Sequence, residues 1–215
     1  MCGTSVDKRR SAVHYGTCAA AHDVDKARAA ELVTLRITAV GAPGYWLDVE
    51  ADAAAALSKL DAFLRDTWVE CCGHLSMFSV SSQRYSSSPS DLSGFLGRAN
   101  PERSMRAKIG EVFARTTDKG TYDYDFGSTT RLAIERTGGR DGRIGKQSVR
   151  LLVRNDPLPW RCGVCGQPAT RVCCAHETES SPLVCAVHEE IHPCSDAMFL
   201  PVVNSPRMGV CGYAG

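Results

Sequence analysis

Hydrophobic and polar residues alternate along much of the middle of the chain. The segment LVTLRITAV, residues 32–40, sets leucine, isoleucine and alanine opposite threonine and arginine, which is the period of a half-buried strand. A turn rich in glycine and proline follows, and residues 45–50, 75–80 and 148–155 predict three further strands. Strands interrupted by only two or three helices indicate an α+β fold with a mainly antiparallel sheet.

The clearest alternation lies in TYDYDFG, residues 121–127, and RLAIER, residues 131–136, which predict a β-hairpin. Alternation places the aromatic residues Tyr122, Tyr124 and Phe126 in the core. It places Asp123 and Asp125 in solvent. The glycine-rich segment 138–145 is predicted to be a flexible tip.

Helical spacing is clearest after the second strand, where four apolar residues fall on one face and Asp52 is placed to cap the helix. The four are Leu57, Leu60, Leu64 and Trp68. Short helices are also predicted over residues 23–32 and 105–113. Residues 81–101 contain many serines and predict a long loop with a helical turn at 92–96.

The chain is predicted to divide into three parts. Residues 1–30 have little periodicity and are interpreted as a mobile N-terminal tail. Residues 31–155 form the α+β domain, and Pro157 and Pro159 mark its end. The last part, residues 156–215, is short and dense in cysteine and histidine, and so small a segment usually needs a metal ion to fold.

Cysteine is concentrated in that last part, which holds seven of the chain's 11. Four ligand pairs follow one another there, and Zn²⁺ prefers four tetrahedral sulfur or nitrogen ligands. A cross-braced module would join the first pair to the third and the second to the fourth, and would hold one or two structural Zn²⁺ ions. The predicted ligands are Cys162, Cys165, Cys173, His176, Cys185, His188, His192 and Cys194. Two alternatives remain, because Cys174 can replace Cys173 and Cys211 can replace Cys194.

The same region contains a second zinc motif. Residues 188–192 match H-E-x-x-H, the signature of zinc proteases, with Glu189 as the general base. Cys185, His188 and His192 also follow the spacing of one helical face. A protease needs a further ligand downstream and an open coordination position, but Cys185 and Cys194 bracket the motif and would close the site. The structural interpretation is therefore favoured.

Residues 131–154 carry seven basic residues against two acidic ones. Such a strip can contact phosphates, and Arg140, Arg143 and Lys146 are its candidate nucleic-acid contacts. It is equally well a solvated hairpin. An enzyme in the α+β domain is a further alternative, and it would use residues that carry acid–base or nucleophilic chemistry. Those residues are Cys72, His74, Asp123 and Asp125.

Composition indicates the cellular compartment of the protein but does not indicate a reaction. The 215 residues are 43% hydrophobic and 23% charged, and the net charge of +1 suggests no partner. No run approaches the 18 apolar residues of a membrane span, and the first residues lack the apolar core of a signal peptide. We therefore expect a cytoplasmic protein, not bound to a membrane, whose thiols are reduced.

The middle of the chain contains the segments LRITAV, YWLDVE, LSKLDAFLRDTW and CCGHLSMFSV, followed by YDYDFGSTTRLAIE. Through these segments, and most specifically through the last, it resembles the plasmid pRiA4b ORF-3-like family, which includes passenger proteins of insertion elements. The segments CGVCGQPAT and LPVVNSPRMGVCGY resemble a subgroup with a C-terminal zinc-binding extension. The resemblance implies an α+β fold and no particular activity.

Together these features predict a zinc-binding, non-enzymatic adaptor, in the setting of mobile genetic elements, that binds another protein. Nucleic acid is the alternative partner, through the basic strip. No catalytic residue is assigned.

Overall fold

The chain passes back and forth between two structural units in this computed structural model, which describes residues 4, 6–88, 102–176 and 181–215. The first unit comprises Met1–Arg65 and His74–Asn155, and the second comprises Asp66–Gly73 and Asp156–Gly215. The sequence also placed a boundary after residue 155. It gave no sign that residues 66–73 leave the first unit.

One mixed, mostly antiparallel sheet of eight strands builds the first unit. The strands are β1 Ala30–Ala39, β2 Trp46–Asp52, β3 Ser76–Val80, β4 Gln83–Ser86, β5 Arg103–Ser104, β6 Lys119–Tyr124, β7 Thr130–Gly142 and β8 Val149–Arg154. Their order is β5-β4-β3-β6-β7-β1-β2-β8, and only β4 and β5 pair in parallel. The predicted α+β fold with a mainly antiparallel sheet is confirmed.

Helices in the described part of this unit are short. They are α1 Ser11–Cys18 with a 3₁₀ turn at Ala20–His22, α2 Leu57–Leu64, and α3 Ile109–Val112. The face of α2 predicted to be apolar is fully buried, but Asp52 does not cap this helix. Asp52 ends β2, where its carboxylate accepts the backbone N–H of Ala54, and α2 begins five residues later.

Helix α3 is shorter than the predicted helix over residues 105–113. The backbone carbonyls of Met105 and Ala107 accept hydrogen bonds from N–H groups at the start of α2. They therefore bond to another element instead of extending α3 towards its N-terminus. Part of the predicted serine-rich loop is strand β4, which pairs with β3. The helical turn predicted at residues 92–96 lies outside the described residues.

The predicted hairpin is present as β6 and β7, and Tyr122 and Tyr124 are fully buried as expected. The rest of the alternation was wrong, because Phe126 is 54% exposed and both aspartates are 6% exposed. Strand β6 ends at Tyr124, and Asp125 has a φ of 64°, so the alternation stops there. Asp123 lies opposite Arg131 in the register, and the guanidinium of that arginine covers its carboxylate.

The predicted flexible tip is also wrong. Residues up to Gly142 continue β7 and pair with β1, past a bulge between Thr34 and Leu35. A side chain at Gly139 would bring its Cβ within 2.7 Å of the carbonyl oxygen of Leu32. This glycine therefore serves close strand pairing rather than flexibility.

The N-terminal segment is anchored to the sheet from Ser11 onward. Ser11 is fully buried, and its hydroxyl donates to Asp48 on β2 at 2.9 Å. Asp23 accepts hydrogen bonds from Arg140 on β7 and Arg150 on β8. The helix predicted over residues 23–32 is absent, because this segment turns and enters β1 at Ala30.

The second unit has little secondary structure in its described residues. Its elements are strands β9 Arg171–Cys173, β10 Leu183–Val184 and β11 Phe199–Pro201, helix α4 Ala186–Glu189, and most of a π-helical turn at Arg65–Val69. The three strands form an antiparallel sheet with β9 in the centre. The hydroxyl of Ser205 donates to the carbonyl of Trp68 at 2.6 Å, which holds residues 66–73 in this unit.

Candidate metal centres

Four side chains that can each bind a metal ion converge at the first site in the second unit. They are Cys162, Cys165, Cys185 and His188, whose ligand atoms all lie within 4.8 Å of one another. The turn that carries the first two is closed by a bridge between Arg161 and Pro168. Cys185 follows β10 at the N-terminal end of α4, and His188 lies one turn later on that helix.

The spacing of these atoms can be compared with a tetrahedral ion. Zinc bonds of about 2.3 Å to sulfur and 2.0–2.1 Å to nitrogen imply edges of about 3.8 Å between two sulfurs, 3.5 Å between sulfur and nitrogen, and 3.3 Å between two nitrogens. Cys165 Sγ lies 3.8 Å from Cys185 Sγ. The Nδ1 of His188 lies 3.7 Å from Cys162 Sγ and 3.2 Å from Cys185 Sγ. These separations fit the edges of one tetrahedron.

The second site has the same design with two histidines. Cys173, at the end of β9, lies with His176, His192 and Cys194 within the same 4.8 Å limit. His176 Nδ1 is 3.4 Å from His192 Nε2 and 3.5 Å from Cys194 Sγ, again close to tetrahedral edges. The rings of His192 and Phe199 form a T-shaped pair with their centroids 5.2 Å apart.

The structure groups all eight predicted ligands as the cross-braced pattern predicts, first pair with third and second with fourth. The two alternative ligands take other positions. Cys174 Sγ points to the carbonyl oxygen of Val172 at 3.9 Å, and Cys211 belongs to a different group. The ten described cysteines form no disulfide.

The protease motif does not assemble. His188 and His192 belong to different sites, so they cannot bind one ion together. Helix α4 ends at Glu189, and the predicted helical face through His192 is therefore wrong. Proline follows His192 and prevents the helix from continuing. Glu189 forms an ion pair with Arg171 at 3.4 Å.

Backbone N–H groups favour thiolates at the first site. Burial by itself would raise the pKa of the Cys162 thiol, but hydrogen bonds from the backbone of Cys165 and Val164 outweigh it and lower the pKa. The backbone N–H of His188 contributes most to lowering the pKa of Cys185. For Cys165, the backbone N–H of Gln167 is outweighed by burial and the neighbouring thiols, which raise the pKa. A thiol that ionises readily is a better metal ligand, because the thiolate is the form that binds.

A third group of thiols was not predicted as a metal site, although Cys72 was a catalytic candidate and Cys211 an alternative zinc ligand. In the second unit, Cys71, Cys72 and Cys211 lie together, with sulfur separations of 3.6 Å between the first two and 3.7 Å between the last two. The sequence separates Cys72 from Cys211 by 139 positions, so spacing rules for local ligand pairs do not detect them.

The three basic residues proposed to contact nucleic acid have different surroundings. Arg140 forms ion pairs with both Asp23 and Glu50 at 2.7 Å, and its side chain is only 22% exposed. Arg143 is exposed and donates to the carbonyl of Asp25, and Lys146 is exposed. Acids that are distant in sequence thus neutralise Arg140 but leave the other two side chains exposed.

The residues of the enzyme alternative are brought together only in part. His74 Nε2 lies 3.6 Å from the Asp125 carboxylate, and its ring packs edge-on against Tyr124. Asp123 pairs instead with Arg131 at 2.6 Å. A cavity of about 320 Å³ in the first unit is lined by other residues, among them Arg28, Glu31 and Asp52.

No family model matches this chain, and no curated protein matches it either. Among solved structures, the chain is similar to a protein of unknown function, MM3350, from Methanosarcina mazei Go1, with a TM-score of 0.47 and 13% identity. That match covers 58% of this chain and 69% of the other. Among the described residues, no helix has the length and apolar character needed to cross a membrane.

Proposed function

We propose that the second unit is a structural zinc module and that the protein acts as a non-enzymatic adaptor for another protein. The observation that carries the proposal is the pair of four-ligand groups, Cys₃His and Cys₂His₂, each with the edges of a tetrahedron. Both ligand sets are typical of structural zinc.

Zinc is favoured over other metals by the donor atoms. Thiolate with imidazole in a tetrahedron suits Zn²⁺, whereas magnesium and calcium prefer oxygen ligands. No carboxylate belongs to either four-residue group.

A structural role is favoured over a catalytic one, because catalytic zinc keeps a position for water or substrate beside three protein ligands. Each of these groups supplies four protein ligands, which completes a tetrahedron. The separation of His188 from His192 also removes the protease arrangement.

Exposed apolar residues on the ligand loops support an adaptor role. Val164 lies between Cys162 and Cys165 and is 67% exposed, and Val187 lies between Cys185 and His188 and is 72% exposed. Both loops supply ligands to the first site, so the metal would hold both valines close together. Apolar surface that a rigid loop presents to water is typical of a protein contact.

The test uses the tagged full chain in its own cells, with Zn²⁺ present, and quantitative mass spectrometry of captured proteins. A double variant, Val164→Asp with Val187→Asp, should lose at least one partner while keeping its zinc content. The matched control, Val40→Asp, changes a valine that is 54% exposed in the first unit and should keep that partner. The partner must then bind the purified chain directly. A zinc-free purified chain, or no purified partner sensitive to the double variant, would contradict the proposal.

A further inference from the structure

The third thiol group has the geometry of a metal site in its own right. The separations of 3.6 and 3.7 Å between the sulfurs of Cys71, Cys72 and Cys211 fall close to the edge of about 3.8 Å for two thiolates on a tetrahedral zinc ion. They are far above the length of about 2.05 Å of a disulfide bond.

The sequence around Cys211 repeats a segment of the first site, although Gly209 and Cys211 have a left-handed φ and Gly163 and Cys165 do not. The sequence Gly-Val-Cys-Gly occurs at residues 163–166, where it supplies Cys165, and again at residues 209–212, where it supplies Cys211. The glycine after each cysteine has nearly the same left-handed φ, 71° for Gly166 and 72° for Gly212. Cys72 is likewise followed by a left-handed glycine, with a φ of 78°.

Cys211 itself has a φ of 51°, which is uncommon for a residue with a side chain. A left-handed cysteine costs free energy, and such residues concentrate at binding sites where the surroundings hold them. The strain is therefore an observation separate from the sulfur distances.

A buried cation lies beside the group. Arg207 is fully buried, and its guanidinium donates to Cys71 Sγ at 3.3 Å. Three thiolates with one divalent ion have a net charge of −1, and a cation within hydrogen-bond distance of one of them is electrostatically favourable.

We infer that Cys71, Cys72 and Cys211 bind a third metal ion of the zinc class, separate from the two sites of the proposed module. The thiolates are soft ligands and select zinc over oxygen-binding metals. The ion would cross-link residues 66–73 to the C-terminal segment, two parts of the second unit that are far apart in sequence.

The experiment measures zinc per chain by elemental analysis. The full chain is stripped of metal under a phosphine reductant, refolded with Zn²⁺ and desalted. Three ions are expected in the wild type and two in Cys72→Ser and in Cys211→Ser. Both cysteines are exposed, so the substitutions leave the packing intact. Cys18→Ser, which changes a cysteine outside all three groups, should keep three.

A second measurement uses ¹¹³Cd in place of zinc, where each site gives its own NMR resonance. One resonance should disappear in Cys72→Ser and Cys211→Ser, and a different one should disappear in Cys162→Ser. If Cys72→Ser or Cys211→Ser specifically loses metal, the third site is supported, whatever the total number of zinc ions per chain. An unchanged metal content and unchanged cadmium spectra in both variants would overturn it. A disulfide within the group in the metal-treated protein would also overturn it. Losses in Cys162→Ser and Cys173→Ser report separately on the other two sites.

Discussion

The two units differ in the interactions that stabilise each of them internally. The first buries a continuous set of large apolar side chains on its sheet, including Leu35, Ile37, Leu47 and Phe78, which are all fully buried. The second has short strands and few buried apolar residues in its described part, and two of those are the candidate ligands Cys162 and Cys173. A segment this short cannot bury a sizeable apolar core. Its fold then depends on where its metal-binding residues lie along the chain, because metal binding supplies the folding free energy.

The interior of the first unit is not purely apolar. The carboxylate of Asp61, on α2, accepts hydrogen bonds from the Ser76 hydroxyl at 2.6 Å and the Tyr122 hydroxyl at 2.8 Å, and pairs with Arg65 at 3.0 Å. Burial and then the charge of Asp61 raise the pKa of the Tyr122 phenol, which keeps it a neutral donor. A satisfied polar cluster therefore fixes α2 on the sheet, whereas the proposed metal ions would stabilise the second unit.

The largest expected effect comes from removing one proposed ligand of the first candidate metal site. Cys162→Ser should abolish the protection of backbone amides in residues 156–215 and leave strands β1 and β2 protected. Structural zinc contributes about 10 kcal/mol or more to the folding of small modules, and a lost ligand forfeits much of it. Hydrogen exchange followed by mass spectrometry resolves the two regions.

Cys174→Ser is the control for that experiment, because Cys174 is adjacent to a ligand but outside the metal groups. It should leave exchange in the second unit close to that of the wild type. If β1 and β2 lost protection together with residues 156–215 in Cys162→Ser, the two units would not be stabilised independently.

The next largest effect should occur inside the first unit. Asp61→Ala leaves the Arg65 guanidinium without its carboxylate and should lower the free energy of unfolding by about 3–5 kcal/mol. The zinc content should not change. Urea unfolding, followed by the methyl resonances of Ile37 and Ile134, reports this unit alone. Asp141→Ala, at an exposed position, should change the stability by less than about 0.5 kcal/mol. Equal effects of the two substitutions would refute the role of the polar cluster.

The anchoring of the N-terminal segment gives a smaller, pH-dependent effect. The hydrogen bond from Arg140, with help from Arg143 and Arg150, lowers the pKa of Asp23 from 3.8 to about 2. A carboxyl group with a lowered pKa stabilises the folded state above pH 4, and this contribution disappears as the pH falls from about 4 towards 2.

Asp23→Asn should therefore reduce the stability of the first unit by about 1 kcal/mol at pH 7, because water screens this partly exposed pair. The difference from the wild type should shrink between pH 4 and pH 2. The same isoleucine resonances measure it in both proteins. A constant difference across this range would show that the charge of Asp23 is not the cause.

The sequence predicted those parts of the fold that local patterns specify. Strand β1 and the Tyr122–Tyr124 alternation follow from side-chain period, and the grouping of the eight ligands follows from their order along the chain. The burial of Asp123 and Asp125 was missed, because it depends on Arg131 and His74, which other elements supply. The tip at residues 138–145 was misassigned because glycine indicates both flexibility and close strand contact.

The remaining errors have the same origin. Segment 66–73 joins the second unit through the contact between Trp68 and Ser205, which no local pattern reveals. The grouping of Cys211 with Cys72 is equally non-local, although the repeated Gly-Val-Cys-Gly segment was a readable signal for it. Sequence reasoning is thus most dependable where the partners of a residue lie within a few positions of it.

The smallest effect concerns the basic strip and nucleic acid. Reversing Arg140 is unsuitable as a test, because Asp23 and Glu50 would then face a third carboxylate and the sheet would be destabilised. Arg143→Glu with Lys146→Glu changes the two exposed residues only.

With two charges available, the log–log dependence of DNA affinity on salt should have a slope no steeper than about −1.8, since each neutralised phosphate contributes about −0.9. Such binding is weak at physiological salt, and the double variant should abolish it for all sequences alike, because phosphate contacts carry no sequence information. Fluorescence anisotropy with a labelled duplex, from low to physiological salt, measures both quantities. A steep slope, or affinity that survives the double variant, would reveal a nucleic-acid surface elsewhere on the chain and would weaken the case that the adaptor's partner is a protein.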